Sequence, residues 1–194
     1  MFVRATFLAV QVFSQALLAA HGLHNDRPGH LNCQPRCDRP LSTQTNDRGI
    51  KIMKPLSGKV ALVTSSGRGI GQEIALKLAS QGASLVVHYA SSRAGAEAVV
   101  EKIHDQGGEA LAYQADIAKR GNVQRLFEQI DQSPGRIDIV ANSSGVSGGG
   151  TLPDLDFEAA SPFGRIGRAE EIANVVAFLA GPEASWVSGT HFDL

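Results

Sequence analysis

The stretch VTSSGRGIG, residues 63 to 71, places Gly67, Gly69 and Gly71 close together between an apolar run and an amphipathic one. A turn of this kind, opening a helix directly after a buried strand, aims unpaired backbone N–H groups and the positive end of the helix dipole at whatever lies above the sheet. An anionic pyrophosphate suits that place, because the glycines let the backbone approach its phosphates. A second constellation, Gly145-Val146-Ser147-Gly148-Gly149, matches the G-x-S-x-G nucleophile elbow of a serine hydrolase, and Asp154 or Asp156 and then His191 follow in chain order. The elbow needs a helix immediately after its serine. Here Gly149, Gly150 and Pro153 follow, and in a chain with 21 glycines a chance match is the better account. The two cysteines, Cys33 and Cys37, form a lone CQPRC pair without the other two ligands a zinc site requires, so no metal centre is expected.

The elements around the glycine turn alternate. KVALVT (59 to 64) reads as a buried parallel strand, and GIGQEIALKLASQG puts Ile70, Ile74 and Leu78 at helical spacing up to a stop at Gly82. SLVVHY (84 to 89) is a second strand, and AGAEAVVEKIHDQGG contains a helix ended by Gly107 and Gly108. ALAYQAD (110 to 116) is a third strand. Val123, Leu126, Phe127 and Ile130 then mark a helix with one buried face, and IDIVANS (137 to 143) is a fourth strand. RAEEIANVVAFLAG forms a last helix, with a short terminal strand expected in WVSGTHFDL. Strands alternating with helices imply an α/β, Rossmann-like, doubly wound parallel sheet with helices on both faces.

The first 52 residues are different in kind. They carry six Lys/Arg and three Asp, against twelve Lys/Arg and sixteen Asp/Glu in residues 53 to 194. Residues 1 to 20 have the order of a secretory signal peptide, interrupted by Gln11, Ser14 and Gln15. With Arg4 these polar residues also fall on one helical face, as in a mitochondrial presequence. Residues 21 to 52, with Pro28, Pro35 and Pro40 and no periodicity, read as a linker without stable structure, and Met53 as the natural start of a domain. The expected organisation is an extension over 1–52 and one nucleotide-binding domain over 53–194. A net charge of −1 offers nothing to a nucleic acid, and no run is apolar enough to span a bilayer.

The residues quoted resemble the short-chain dehydrogenase/reductase family, of the 3-oxoacyl-reductase kind. Its cofactor loop reads T-G-x-x-x-G-x-G, and Thr64-Ser65-Ser66-Gly67-Arg68-Gly69-Ile70-Gly71 matches with Ser65 in place of the first glycine. Asp116 is similar to the family's acidic residue near the adenine ring. Asn142-Ser143-Ser144-Gly145 stands where the family has N-N-A-G, and SPFGRIGRAEEIANVVAFLAGPEASWVSG resembles its penultimate helix and the approach to its last strand. The resemblance implies a bound nicotinamide dinucleotide. An NAD enzyme of this fold usually ends the second strand with an acid on the ribose 2′-OH. This chain has His88-Tyr89-Ala90-Ser91-Ser92-Arg93, with hydroxyls at Tyr89, Ser91 and Ser92, and its Arg93 and Arg68 suit a 2′-phosphate, so NADP is expected over NAD.

What the resemblance does not find is the family's chemistry, which rests on a Ser after the fifth strand and a Y-x-x-x-K pair on the next helix. Of the two tyrosines, Tyr89 is followed four residues on by Arg93 and Tyr113 by Ile117. The segment TLPDLDFEAA looks like the lead into the helix after the fourth strand, whereas SPFGRIG belongs beyond the sixth. The reading is an internal deletion near Ala160-Ser161 that removes the catalytic residues and the usual dimerisation helices. The expected consequences are an unpaired edge on the fourth strand unless the last strand moves in beside it, an exposed apolar sheet face and low stability or aggregation for residues 53 to 194 alone. Asn142-Ser143-Ser144 is also a glycosylation sequon, and a glycan there would block the site. A cytoplasmic protein starting at Met53 is therefore favoured over a secretory or mitochondrial one.

Overall fold

A computed structural model describes residues 9–12, 44–45, 51–145, 163–165 and 167–189. Three short strands come first in the chain: β1 (Ala9–Val12), β2 (Gln44–Thr45) and β3 (Lys51–Ile52). The repeating unit follows as β4 (Val60–Val63), α1 (Gly69–Ser80), β5 (Ser84–Tyr89), α2 (Arg93–Asp105), β6 (Ala110–Gln114), α3 (Arg120–Gln132) and β7 (Ile139–Asn142). Helix α4 (Ala169–Ala180) and a 3-10 turn (Pro182–Ala184) complete the described chain.

The main sheet has the order β1-β7-β4-β5-β6. Strand β4 runs parallel to both β5 and β7, and β5 parallel to β6. The register of β4 with β7 is pinned at its start by a buried acid. Asp138 accepts the Val60 N–H at 2.9 Å, its own N–H donates to Val60 O at 2.9 Å, and Arg136 and Lys59 supply the opposite charge. A buried carboxylate survives only with such partners.

Alternation of side chains along each strand divides the core. Val63, Val87 and Ala141 face one way and pack with Ile74 of α1, Val99 and Ile103 of α2 and Val176 of α4. Leu62, Val86 and Val140 face the other way, toward Leu126 and Ile130 of α3. Each fully buried aliphatic side chain contributes roughly 1.5–3 kcal/mol, so the first face, with three helices, supplies most of the stability.

The four parallel strands and their helices correspond to the expected α/β arrangement, and several details differ. On α3, Phe127 is 42% exposed although it continues the apolar spacing, because one residue's rotation of about 100° carries it off the stripe that Leu126 and Ile130 bury. Residues 186–189 contain no strand, and Trp186 is 98% exposed. The edge of β7 is not open: β1 pairs with it antiparallel, Ala9 opposite Asn142 and Val12 opposite Ile139. Strand pairing therefore occurs within the first 52 residues, where a targeting segment and linker were expected, and β2 and β3 form a second small ladder there. The sheet face beneath the supposed deletion is also not bare, since Leu62 and Val140 are buried. Cys33, Cys37, Ser147, Asp154, Asp156, His191 and the proposed junction at Ala160-Ser161 lie outside the described residues.

Candidate functional site

In an open parallel sheet, ligands bind beyond the carboxyl ends of the strands, where neighbouring connections depart in opposite directions. That point is fixed here by the strand order, since from β4 the chain moves outward through β5 and β6 and then returns to β7 on the other side. The loops after β4 (64–68), β5 (90–92) and β7 (143–145) all emerge at this end.

The first and last of these loops are tied together. Thr64 is buried, and its Oγ1 accepts the backbone N–H groups of Ser143 at 2.9 Å and Ser144 at 3.2 Å. The Thr64 N–H donates to Ala141 O at 3.0 Å, continuing the ladder to the mouth of the site. Next to it, Ser65 has φ +53°, in the left-handed region where a side chain is costly and glycine is usual. Its hydroxyl meets that of Ser144 at 2.7 Å. The loop is fastened on its other side by His88, whose Nδ1 accepts the Ser65 N–H at 3.2 Å and whose main-chain O accepts the Ser66 N–H at 3.0 Å. With Nδ1 accepting, the imidazole carries its proton on Nε2 and donates it to Ala115 O at 3.0 Å. Burial pushes the His88 pKa down, with the Ala115 bond partly opposing it, so the ring is held neutral.

Two glycines of the loop are required sterically. A Cβ on Gly71 would lie 2.6 Å from Ser65 O, and one on Gly67 would lie 3.0 Å from the Ala96 N and 3.1 Å from Ser92 O. Gly67 is thus where the start of α2 closes onto the loop. Gly69 serves a different purpose: its φ is +57° and nothing lies within 4 Å of where its Cβ would be, so open space stands in front of it. Among the described residues no side chain caps the N-terminus of α1, and no acid occupies its first turn. The first N–H groups of α1 therefore face an uncontested position for negative charge.

The remaining expected site residues divide. Arg68, Gly69 and Ile70 are exposed at the turn, Ser91 is exposed and Ser92 half-buried at the start of α2, and Asn142, Ser143 and Gly145 lie at the end of β7, all around the same mouth. Ser66 does not face it: the side chain is fully buried and its hydroxyl donates to Val63 O at 2.8 Å, so it shapes the loop from below. Tyr89 is likewise 9% exposed and part of the core. Asp116 stands after β6 with its carboxylate committed locally, to Lys119 at 3.2 Å and the Ala118 N–H at 3.2 Å, which hold its pKa below the usual range. Arg93 reaches Glu97 at 2.7 Å on the surface of α2. The second tyrosine, Tyr113, spends its hydroxyl on Ser133 O. No group of His, Cys, Asp and Glu suited to a metal ion occurs among the described residues.

Sequence reasoning passed over Thr64, His88 and Ser144 as working parts. The signal for Ser144 was present, since it and Ser65 are both departures from the motifs they stand in.

Comparison with known proteins matches residues 59–163 to the short chain dehydrogenase family. Over 103 residues the chain is 48% identical to elsinochrome reductase 1 of Elsinoe fawcettii, covering 53% of this chain and 39% of that one. It is 47% identical over 103 residues to a probable tetrahydroxynaphthalene reductase of Zymoseptoria tritici, with coverages of 53% and 39%. The chain thus spans about two fifths of the length of the curated relatives it matches. Among solved structures, the landomycin C-6 ketoreductase LanV with bound NADP and rabelomycin superposes with a TM-score of 0.62 at 24% identity, over 70% of this chain and 94% of that one. No described helix is long and apolar enough to cross a membrane.

Proposed function

The chain belongs to the short-chain dehydrogenase family, and on that premise we propose that it holds NADP at the mouth of the β4 and β7 loops without a proton donor of its own. The family is one of oxidoreductases that bind a nicotinamide dinucleotide. The observation that carries the reading is the uncapped, acid-free start of α1 behind the open space at Gly69, on a loop anchored by Thr64 and His88. The N–H groups of Gly69, Ile70 and Gly71 would take the pyrophosphate. NADP rather than NAD is supported by the end of β5, where residues 88 to 93 contain no acid and the exposed Ser91, Arg93 and Arg68 would take a 2′-phosphate. The NADP bound to the LanV ketoreductase agrees with this choice. Asn142, Ser143 and Gly145 would line the nicotinamide side.

Bound NADPH supplies a hydride for a carbonyl. This chain's residues would bind and orient the cofactor, but a proton must also reach the developing alkoxide, and a positioned acid is worth roughly 10²- to 10⁴-fold in rate. Tyr89 is in the core and Tyr113 is engaged with Ser133, and neither is followed by a lysine four residues on. The absence of that pair from the sequence supports the reading of a segment missing near Ala160-Ser161. The reading is therefore a cofactor-binding module derived from a carbonyl reductase, without the proton transfer and without the dimer of the complete fold.

Calorimetric titration of the full chain with NADPH and NADH, together with NADPH oxidation over a panel of ketones and quinones, tests both halves. Binding of NADPH with no oxidation above the protein-free blank is expected. Absence of binding sinks the module, and clear turnover sinks the claim of a missing donor.

A further inference from the structure

We propose that Ser65 and Ser144, which stand where the family's motifs have glycine and alanine, form a two-hydroxyl clasp across the site that presents one O–H donor to the cofactor's anionic groups. The inference rests on the NADP-binding reading of the same mouth.

Both residues depart from the motifs they occupy, 79 positions apart in the chain, and the fold brings the two departures to an Oγ–Oγ distance of 2.7 Å. That is the usual length of an O–H···O hydrogen bond. Their backbones are set independently of this bond. Ser65 is held by its N–H on His88 Nδ1 at 3.2 Å, and Ser144 by its N–H on Thr64 Oγ1 at 3.2 Å. The left-handed φ of +53° at Ser65 disfavours a side chain, and the Ser144 hydroxyl is the group that compensates it. An alanine at 144 would leave the Ser65 hydroxyl without this partner, and a glycine at 65 would leave the Ser144 hydroxyl without its own.

Two hydroxyls carry two protons, and the bond between them uses one. Among the described residues, neither hydroxyl has another hydrogen-bond partner. Both side chains are only half-buried, at the junction of the loops after β4 and β7. The second proton is therefore available to an acceptor entering the mouth, and an anionic oxygen is the acceptor that gains most from it. Ser65 thus compensates for a lost glycine with a donor that glycine lacks, but only while Ser144 accepts its partner's proton or donates its own.

The test is a cycle on the full chain: the unaltered protein, Ser65→Gly, Ser144→Ala and the double variant, with Ser144→Thr as the conservative control. Each is read by thermal unfolding without ligand and by calorimetric NADPH affinity. Ser144→Ala should lower the melting midpoint and weaken NADPH by roughly fivefold to tenfold in the unaltered chain, yet change affinity by less than about twofold when Gly already stands at 65. Ser144→Thr should keep both values. Equal effects of Ser144→Ala in the two backgrounds overturn the clasp. Coupled melts with uncoupled NADPH affinities overturn its role toward the cofactor. Coupled melts in a protein that binds no NADPH uphold the clasp and sink the cofactor reading instead.

Discussion

The backbone N–H of Ser65 donates to Nδ1 of His88 at 3.2 Å, so a buried imidazole serves as the fixed wall of the glycine loop. A proton added at Nδ1 would convert that acceptor into a donor facing a donor. Burial already holds the His88 pKa below its ordinary 6.5. In the unfolded chain the ring binds a proton near 6.5, whereas in the folded protein it does so only at lower pH, so the unfolded state is favoured in between. The stability that His88 contributes is complete above about pH 6.5 and is lost as pH falls through the lowered folded value. Thermal midpoints measured from pH 8 to pH 5 should therefore decline below about 6.5, and in His88→Gln that decline should shrink. An unchanged profile in the variant would assign the acid sensitivity to other groups.

Gly71 and Gly69 stand two residues apart and should respond differently to alanine. At Gly71 the new Cβ would be 2.6 Å from the main-chain oxygen of Ser65, a residue whose own N–H is held on His88 Nδ1. Overpacking of this kind costs about 1–3 kcal/mol, and Gly71→Ala should melt earlier whether or not ligand is present. At Gly69 no atom is within 4 Å, and the cost is confined to the left-handed backbone, about 1–2 kcal/mol. The added methyl would project into the space reserved for phosphate. Gly69→Ala should therefore lose more in NADPH affinity than Gly71→Ala does relative to its stability, measured by paired melts and titrations.

Thr64→Val tests the tie between the two loops. The substitution keeps the shape and removes the acceptor for the Ser143 and Ser144 N–H groups. Leaving buried donors unpaired costs about 1–3 kcal/mol. Denaturant unfolding should show a loss in that range, and hydrogen exchange at residues 143 and 144 should accelerate. Protection unchanged at those amides would mean that another acceptor holds them.

The proposed preference for NADP depends on Arg93, which is paired with Glu97 at 2.7 Å at the surface. Exposed pairs of this kind are weak and screened by solvent, whereas a guanidinium binds phosphate through charge-assisted hydrogen bonds, so a 2′-phosphate should displace Glu97. Arg93→Ala should weaken NADPH several-fold and leave NADH unchanged, and Glu97→Gln should leave NADPH as tight or tighter. Equal losses for both dinucleotides in Arg93→Ala would remove the 2′-phosphate from this position.

The elements nearest the site were the most legible in the sequence. KVALVT and SLVVHY are β-branched runs closed by glycine or serine turns, and β4 and β5 fall within them. The glycine spacing at 67, 69 and 71 identified the turn, but not which glycine faces ligand and which faces protein, because that depends on Ser65, Ser92 and Ala96 approaching from elsewhere. Ser66 and Tyr89, expected among the cofactor-binding residues, are buried, and a hydroxyl in a loop motif says nothing about which side it turns to. His88 and Thr64 act through contacts 23 and 79 residues away, a separation that periodicity does not register. Strand β1 was hidden by composition, since AVQV within a signal-like stretch gains its partner only from the open edge of β7.

That edge sets the last prediction. Strand β7 bonds to β4 on one side, and on the other its backbone groups are met by β1, in register from Ala9 opposite Asn142 to Val12 opposite Ile139. A protein beginning at Met53 lacks those four residues, and the N–H and C=O groups of β7 on that side would lose β1. Unpaired edges of apolar strands pair with other chains, and Val140 and Ile139 make this one apolar. The shortened protein should show concentration-dependent association in light scattering and a lower melting midpoint than the full chain. A protein from Met53 that remains monomeric and melts at the full-length temperature would show that β1 contributes nothing to the edge and would leave residues 1 to 20 free for the targeting role that their order suggests.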